Sequence, residues 1–513
     1  MSALAAIRGR VASDLHAPRE RPAIVAVLAL ALACSIAIVR SGGDPLLLVP
    51  LLTTLVIVAV MAHPVLGVYL VFGGAILLEQ YFILGLEPIT VGTHFYQNLS
   101  AYTPVPLRLS VVDLLMLLTT AAWAARMATG RHPRPRLGPL GWPIAGYGAV
   151  FVLGTAIGAA RGGGWDLDAV LAELRGPVQL CVMYFLAANL IRERTHLRAV
   201  VWMFVLLVGV KGLQAIINYQ DAANVPYNLE AVTGHEDVVF FDVAITLGVA
   251  AVALRVRSRL ATVLLALQPL ILVAELLTER RVGFVALGVG LVVVVILSSR
   301  TEPRRALALA AVGALAATFY VAAFWDSNGP LAEPVRAVRS VIDPSYVSAR
   351  DQMSDDWRVR EDKNIAYTIA QLPLTGVGLG QQYLVRESPP PLPPAFTYWR
   401  YITHNALLWL WLKAGPLGAF ALWFLVARVV MIGSAGAASL GDVELRHYAF
   451  MPVCLIACQI VFSAVELGLT YSRTMIVLGT GLGLMAALLE LAPRTYARAE
   501  PLRSRIATSP VRA

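Results

Sequence analysis

Apolar runs long enough to cross a bilayer recur through most of this chain, separated by short polar segments rich in arginine. A spanning helix needs about 20 apolar residues to cover roughly 30 Å of hydrocarbon. Runs that meet this condition lie at about 23–40, 45–62, 64–83, 109–127, 141–160, 177–192, 198–217, 238–256, 259–277, 282–299 and 305–325. After a long polar interruption, three more follow at about 415–433, 448–467 and 473–491. The pattern predicts an all-α polytopic membrane protein of about 14 transmembrane helices, in the range of about 12–14, with one large external loop. No repeat period accompanies it, and the one biased segment is a proline-rich patch at 389–394.

Composition narrows the class further. The 513 residues are 58% hydrophobic and only 14% charged, with a mean hydropathy of +0.70. A soluble surface needs about a quarter of its residues charged, so a soluble enzyme, a disordered regulator and a nucleic-acid-binding module are excluded. The net charge of +9 calls for no nucleic-acid partner, because the basic residues cluster in short segments between apolar runs. That is the signature of cytoplasmic loops. Cys34, Cys181, Cys454 and Cys458 all fall within apolar runs and read as small buried hydrophobes rather than as disulfides or metal ligands. The basic start of the chain lacks a clear small-residue cleavage site, so the run after it reads as a retained first span.

Arginine placement sets the direction. With the N-terminus inside, the basic loops at 126–136, 192–198, 255–259 and 300–305 all fall inside as well. The stretch 404–413 would invert everything after it if it crossed, but ten helical residues cover only about 15 Å. It therefore reads as a short helix in the outer interface. The expected organisation is a cytoplasmic segment at 1–22, eleven spans within 23–325 and a large external loop at 326–403. The interfacial helix with three spans fills 404–491, and a cytoplasmic tail occupies 492–513. Within the external loop, 348–371 reads as a charged helix ending at Pro373.

Candidate chemistry stands out where residues run against this trend. Arg175, Arg280 and Arg281 are external arginines beside spans. Guanidinium groups at headgroup depth suit a phosphate or diphosphate, which they grip with paired hydrogen bonds. The plainer use is snorkelling to lipid phosphates, or pairing with Glu173, Glu275 or Glu279. His404 opens an apolar helix and is a candidate base for a hydroxyl proton; its plainer use is a helix-start hydrogen bond, with Thr403 or Asn405 as cap. The glycine run 376–380, including Gly378, looks like a phosphate cradle but equally suits a loop bend. Asp166 and Asp168 have the spacing of a metal–diphosphate pair, or of a solvated loop. Asp113, Lys211, Asp242 and Glu275 lie in or near spans, where ionisable groups are costly and often functional.

The order of these features resembles the O-antigen ligase and O-antigen polymerase superfamily of bacterial membrane glycosyltransferases. The clearest match is 403–418, Thr-His-Asn-Ala-Leu-Leu-Trp-Leu-Trp-Leu-Lys-Ala-Gly-Pro-Leu-Gly, which follows the family's His-Asn, Leu, Gly-x-x-Gly pattern. Upstream, 372–380 is similar to the Pro-x-x-Gly-x-Gly segment, and Leu174-Arg-Gly-Pro resembles the family's first external arginine. Aligning Arg-x-Gly-x-x-Ala-Leu puts Arg281 at the second family arginine, with Arg280 in place of the usual serine. The resemblance covers roughly 170–435.

It implies a GT-C-like enzyme of the cytoplasmic (inner) membrane that needs no cofactor and no metal. Such an enzyme moves a glycan from a polyprenyl-diphosphate carrier to a glycan, lipid or protein acceptor on the outer face, with inversion. In that scheme His404, Arg281 and Arg175 are catalytic, and Arg280, Arg358, Arg360, Asn405 and Gly378 contact substrate. Physical reasoning agrees on one point: with no ATP outside, the energy must reside in the glycosyl-diphosphate bond. The rival class is a polysaccharide or lipid-linked sugar flippase, which would place ionisable groups at the midplane of two repeated halves.

Overall fold

The computed structural model describes residues 21–40, 49–79, 94–222, 232–327, 329–342, 349–390 and 397–491. Of the arginines expected inside, Arg8, Arg10 and Arg19 at the start of the chain and those of its tail lie outside the described residues, as does most of the proline-rich patch. Those residues are helical almost throughout. In order the helices are α1 (Arg21–Arg40), α2 (Val49–Ala62), α3 (Pro64–Leu77), α4 (Val111–Ala128), α5 (Gly141–Arg161) and α6 (Leu167–Leu190). There follow α7 (Arg194–Ala222), α8 (Asp237–Leu254), α9 (Arg259–Leu277), α10 (Arg281–Ser299), α11 (Pro303–Phe324), α12 (Glu333–Ile342) and α13 (Ala349–Gln371). The chain closes with α14 (Ala406–Ser439), α15 (Val443–Tyr448), α16 (Phe450–Ser463) and α17 (Ser472–Leu491). Among the described residues eleven helical stretches, with α15 and α16 together counted as one, are long and apolar enough to cross a membrane, and α2, α3 and the Leu28–Ala37 part of α1 are shorter apolar helices. The protein is a multi-pass, all-α membrane protein.

The chain divides into two compact units, Met1–Val71 with Gln97–Pro135, and Phe72–Tyr96 with Arg136–Ala513. In the first, Ser110 and Asp113 form a capping box that starts α4, so Asp113 serves the backbone. Gly67 lies directly against Thr119, which lets α3 approach α4 closely.

The second unit holds every candidate site residue. Its centre is built from α6, α8, α16 and α17. Gly479 and Gly483 of α17 sit on the backbone of α6 at Leu180 and Tyr184, a close approach that small residues permit. Burial separates helices that the sequence alone reads as equivalent spans. In its most apolar stretch α8 is 89% buried, whereas α11 is 0% buried. The apolar surface of α11 therefore has lipid as its partner, since water would make that exposure prohibitive.

The loops of this unit fall at two ends. At one end Arg194 pairs with Asp442 and Glu444, Arg198 pairs with Glu444, and Arg136 pairs with Glu490. The other end carries the polar insertion with α12 and α13, the turn 278–280, and the loop between α16 and α17.

The glycine run is a seam at this second end. Val377 N–H donates to Leu412 O at 2.6 Å, Leu379 N–H to Gly154 O at 2.9 Å, and Gly380 N–H to Glu173 Oε2 at 2.6 Å. Gly378 has φ +90° and sits on the backbone of Gly158, so it needs both a left-handed conformation and the absence of a side chain. Glu173 is salt-bridged to Lys413 at 2.7 Å, both fully buried, and Lys413 Nζ also donates to Gln381 O at 2.5 Å. Of the two uses left open by the sequence, the run's backbone groups are spent on α5, α6 and α14.

The short helix expected at 404–413 corresponds to the first arm of α14. Gly415 breaks the helix with φ 63° and ψ −160°, so two helical segments meet at a kink. The reason is local: Pro416 has no N–H and disfavours a helical residue before it, and the backbone of Leu374 and Thr375 packs into the bend.

Lys413→Met should leave the Glu173 charge buried without its ion partner and cost about 3–5 kcal/mol. The double variant Glu173→Gln, Lys413→Met should recover most of that loss. Thermal unfolding in detergent measures both; equal midpoints for the single and double variants would remove the pair from the stability of the seam.

Candidate active site

The second end of the bundle owes its organisation to one helix, α13. Its residues Asp355, Arg358, Glu361 and Asp362 are spaced by three and four, so one face presents all four. That face makes a row of contacts. Both oxygens of Asp355 accept from Arg281 Nη2 at 2.9 Å, at the first turn of α10. Arg358 Nη2 donates to Glu466 Oε1 at 2.7 Å, in the loop before α17. Glu361 Oε2 accepts from the backbone N–H of His404 at 2.9 Å and faces its Nδ1 at 3.1 Å. Asp362 accepts from Asn405 Nδ2 at 3.3 Å.

The other side of α13 is laced to the segment after the glycine run. Asn364 Oδ1 accepts from the N–H groups of Arg386 and Glu387 at 2.8 and 2.9 Å, and Thr368 Oγ1 accepts from Leu384 N–H at 2.9 Å. Arg360 donates to Ser388 O at 3.0 Å on this side. The two arginines of the helix, equivalent in the sequence reading, thus face different partners: Arg358 joins the row that meets Arg281 and His404, and Arg360 holds the segment after the glycine run.

Three guanidinium groups gather around two carboxylates. Arg280 contacts His235 Nε2 at 2.6 Å and reaches Glu466 at 4.0 Å, while Arg358 spans Glu466 and Asp355. Arg280 and Arg281 are presented by a tight turn in which Glu279 takes a left-handed backbone (φ 53°), a conformation costly for a residue with a side chain. Burial alone would raise the Glu466 carboxyl. The hydrogen bond and charge of His235, with the charges of Arg358 and Arg280, outweigh it and hold Glu466 well below the ordinary carboxylate range. The side chains of Arg281, Arg358 and His404 remain 28%, 23% and 24% exposed, so the row opens to the surface.

Arg175 lies on α6, half-buried, with Nη1 donating to Tyr96 O at 3.4 Å. Its neighbour Gly176 packs on the backbone of Thr470, in the loop that carries Glu466. Glu173, a possible partner of Arg175 by sequence, is engaged by Lys413. Asn405 caps α14, accepting from Leu408 N–H at 3.1 Å, and donates to Asp362 as well. Asp166 caps α6 by accepting from Asp168 and Ala169 N–H.

Lys211 pairs with Glu79, and with Asp237 at 3.0 Å, and Asp237 also meets Arg473. Asp242 and Glu275 are buried acids with no hydrogen-bond partner among the described residues.

Asp355, Glu361, Glu466 and His235 had no place among the sequence-predicted site residues. A signal existed for the first two, because the spacing of acids on the predicted helix 348–371 puts them on one face with Arg358. Glu466 and His235 give no such signal: one ends an apolar run and the other sits in a loop, and only folding brings them beside the arginines.

These features define a class first: a helical, multi-pass membrane protein whose polar insertion lays one charged helix across a basic cluster and a histidine. Within it, residues 265–423 match the family model described as O-antigen ligase, which supports the O-antigen ligase superfamily and a membrane glycosyltransferase or ligase-like function. The matched segment includes Arg280, Arg281, the whole of α13, His404 and Asn405; Arg175 and Glu466 lie outside it. A search of curated proteins gave no match.

Because folded Glu466 binds its proton more weakly than it would in the unfolded chain, its contribution to stability is complete above the ordinary carboxylate pKa and is lost as pH falls below it. The thermal midpoint should fall as pH drops below about 5, continuing on through pH 3, and Glu466→Gln should flatten part of that fall. An identical slope in the variant would take Glu466 out of the acid response.

Proposed function

We propose that the protein transfers a glycan from a polyprenyl-diphosphate carrier to an acceptor hydroxyl at the outer face of the cytoplasmic membrane. The observation that carries this reading is that one face of α13 touches both Arg281 and His404, through Asp355 and Glu361. These two contacts are six residues apart, or about 9 Å along the helix axis. The spacing suits a diphosphate at one end of a sugar and an acceptor at the other. The side follows from the positive-inside bias: the short arginine-rich loops lie at the opposite end of the second unit.

In this mechanism Arg281, with Arg280 and Arg358 beside it, and Arg175 from α6 hold the diphosphate and take up the negative charge that develops on it. The acceptor oxygen attacks the anomeric carbon from the face opposite the diphosphate and gives its proton to His404. The anomeric C–O bond to phosphate breaks, and the lipid diphosphate leaves with the electron pair. A single displacement inverts the anomeric centre. Fixed cations at the leaving group supply the charge that a divalent metal supplies in other transferases, so no metal is required. Gly378 serves this reading only indirectly, through the seam beneath the site. The acceptor is another glycan, a lipid or a protein.

His404→Ala should abolish transfer from a polyprenyl-diphosphate-linked oligosaccharide without lowering expression, a loss on the order of 10²-fold or more. Arg175→Lys and Arg281→Lys should each be impaired, since an ammonium lacks the paired donors of a guanidinium. A chelator should leave the rate unchanged. Movement of the carrier lipid with no new glycosidic bond would identify a flippase instead.

For the sidedness, a cysteine at Gly164 should react with an impermeant maleimide in intact cells. One at Arg257 should react only after permeabilisation; the reverse pattern would invert the assignment.

A further inference from the structure

The His404–Asn405 dipeptide is met by a second dipeptide, Glu361–Asp362, residue against residue. Glu361 is fully buried, and a single carboxylate oxygen, Oε2, takes both the backbone N–H of His404 and its Nδ1. Asn405 is held twice, by Asp362 and by its own cap on α14. The indole of Trp357 stands edge to face with the imidazole at 5.0 Å between centroids. Ring, backbone and following residue are thus all fixed from one helix.

From this geometry we infer that Glu361 is a positioning residue for His404: it keeps the proton on Nδ1, turns Nε2 toward the acceptor hydroxyl and stabilises the imidazolium formed in transfer. The inference rests on the proposed function and deepens it. A carboxylate oxygen is an acceptor, so the nitrogen facing it carries the hydrogen and the other nitrogen keeps its lone pair. When Nε2 takes the acceptor proton, the ring becomes cationic about 3 Å from a buried acid, where the attraction is little screened. The second oxygen, Oε1, is buried without a hydrogen bond, so the carboxyl has no competing donor among the described residues. Burial pushes the Glu361 carboxyl up, and the hydrogen bonds and charge of His404 pull it part of the way back. The other charged or titratable groups around the pair are Arg358 and Asp362 on α13, and Tyr383 with Arg400 behind it, from the segment before α14.

The test is the pH dependence of kcat/KM for purified full-length protein acting on a polyprenyl-diphosphate-linked oligosaccharide. Glu361→Gln keeps the size of the side chain and removes its charge. Its kcat should fall by at least about tenfold. Its acidic limb should move to lower pH, because losing the neighbouring negative charge makes the imidazolium a stronger acid. Glu361→Asp, which keeps the charge, should leave that limb in place at a reduced rate.

A Gln variant whose limb stays where the wild type has it overturns the inference, whatever its rate, since a mere latch between α13 and α14 moves no titration. If His404→Ala transfers normally, the base assignment itself fails. If His404→Ala is inactive while Glu361→Gln keeps both its rate and its limb, the proposed function stands and only the role of Glu361 falls.

Discussion

Everything at the polar end of the second unit depends on how the charged face of α13 is neutralised. Two kinds of contact hold this 23-residue helix: Ile365 and Ile369 pack with Val377, Tyr383 and Leu412. Its charged face meets a row of oppositely charged or hydrogen-bonding partners drawn from α10, the loop before α17 and the start of α14. The same contacts that dock the helix bring Arg281, Arg358 and His404 along one line. Ionic contacts at an exposed surface are weak, but Glu361 and Glu466 are buried, and for them loss of a partner is expensive. Fold stability and site assembly therefore draw on the same residues.

Beneath that row, the glycine run converts backbone geometry into position. Gly376, Gly378 and Gly380 all take positive φ, and the N–H groups of Val377, Leu379 and Gly380 are used on Leu412, Gly154 and Glu173. The bend at Gly415 admits the same segment from the other side. Two chain breaks far apart in sequence interlock, and the Glu173–Lys413 ion pair is buried at the joint. The result fixes where α14 begins, and with it the backbone of His404.

The sequence was informative wherever a property is local. Spans are legible because hydrocarbon demands a run of apolar residues with every backbone group satisfied inside the helix, and the His-Asn and glycine motifs are legible because they are contiguous. Arg280 and Arg281 stood out because two arginines at a turn between apolar runs oppose the charge bias of their side. Arg358 and Arg360 could not be told apart by the same means. They differ by two residues, about 200° around the helix, and which side meets Glu466 is settled only when α13 docks. Glu361 was readable as a member of a charged helix but not as the partner of His404, 43 residues away.

The amino-acid sequence by itself determined that this chain is a helical membrane protein, where most of its helices lie, and which motif-borne residues are candidates for the site. Those are short-range consequences of hydropathy, proline and glycine stereochemistry, and charge. The tertiary structure decided which helices face lipid and which are buried, since α8 and α11 have similar hydropathy and opposite surroundings. It also decided which acid meets which base. Ion pairing is a contact between side chains from distant stretches, and no one-dimensional pattern encodes a distance that exists only once the helices have packed.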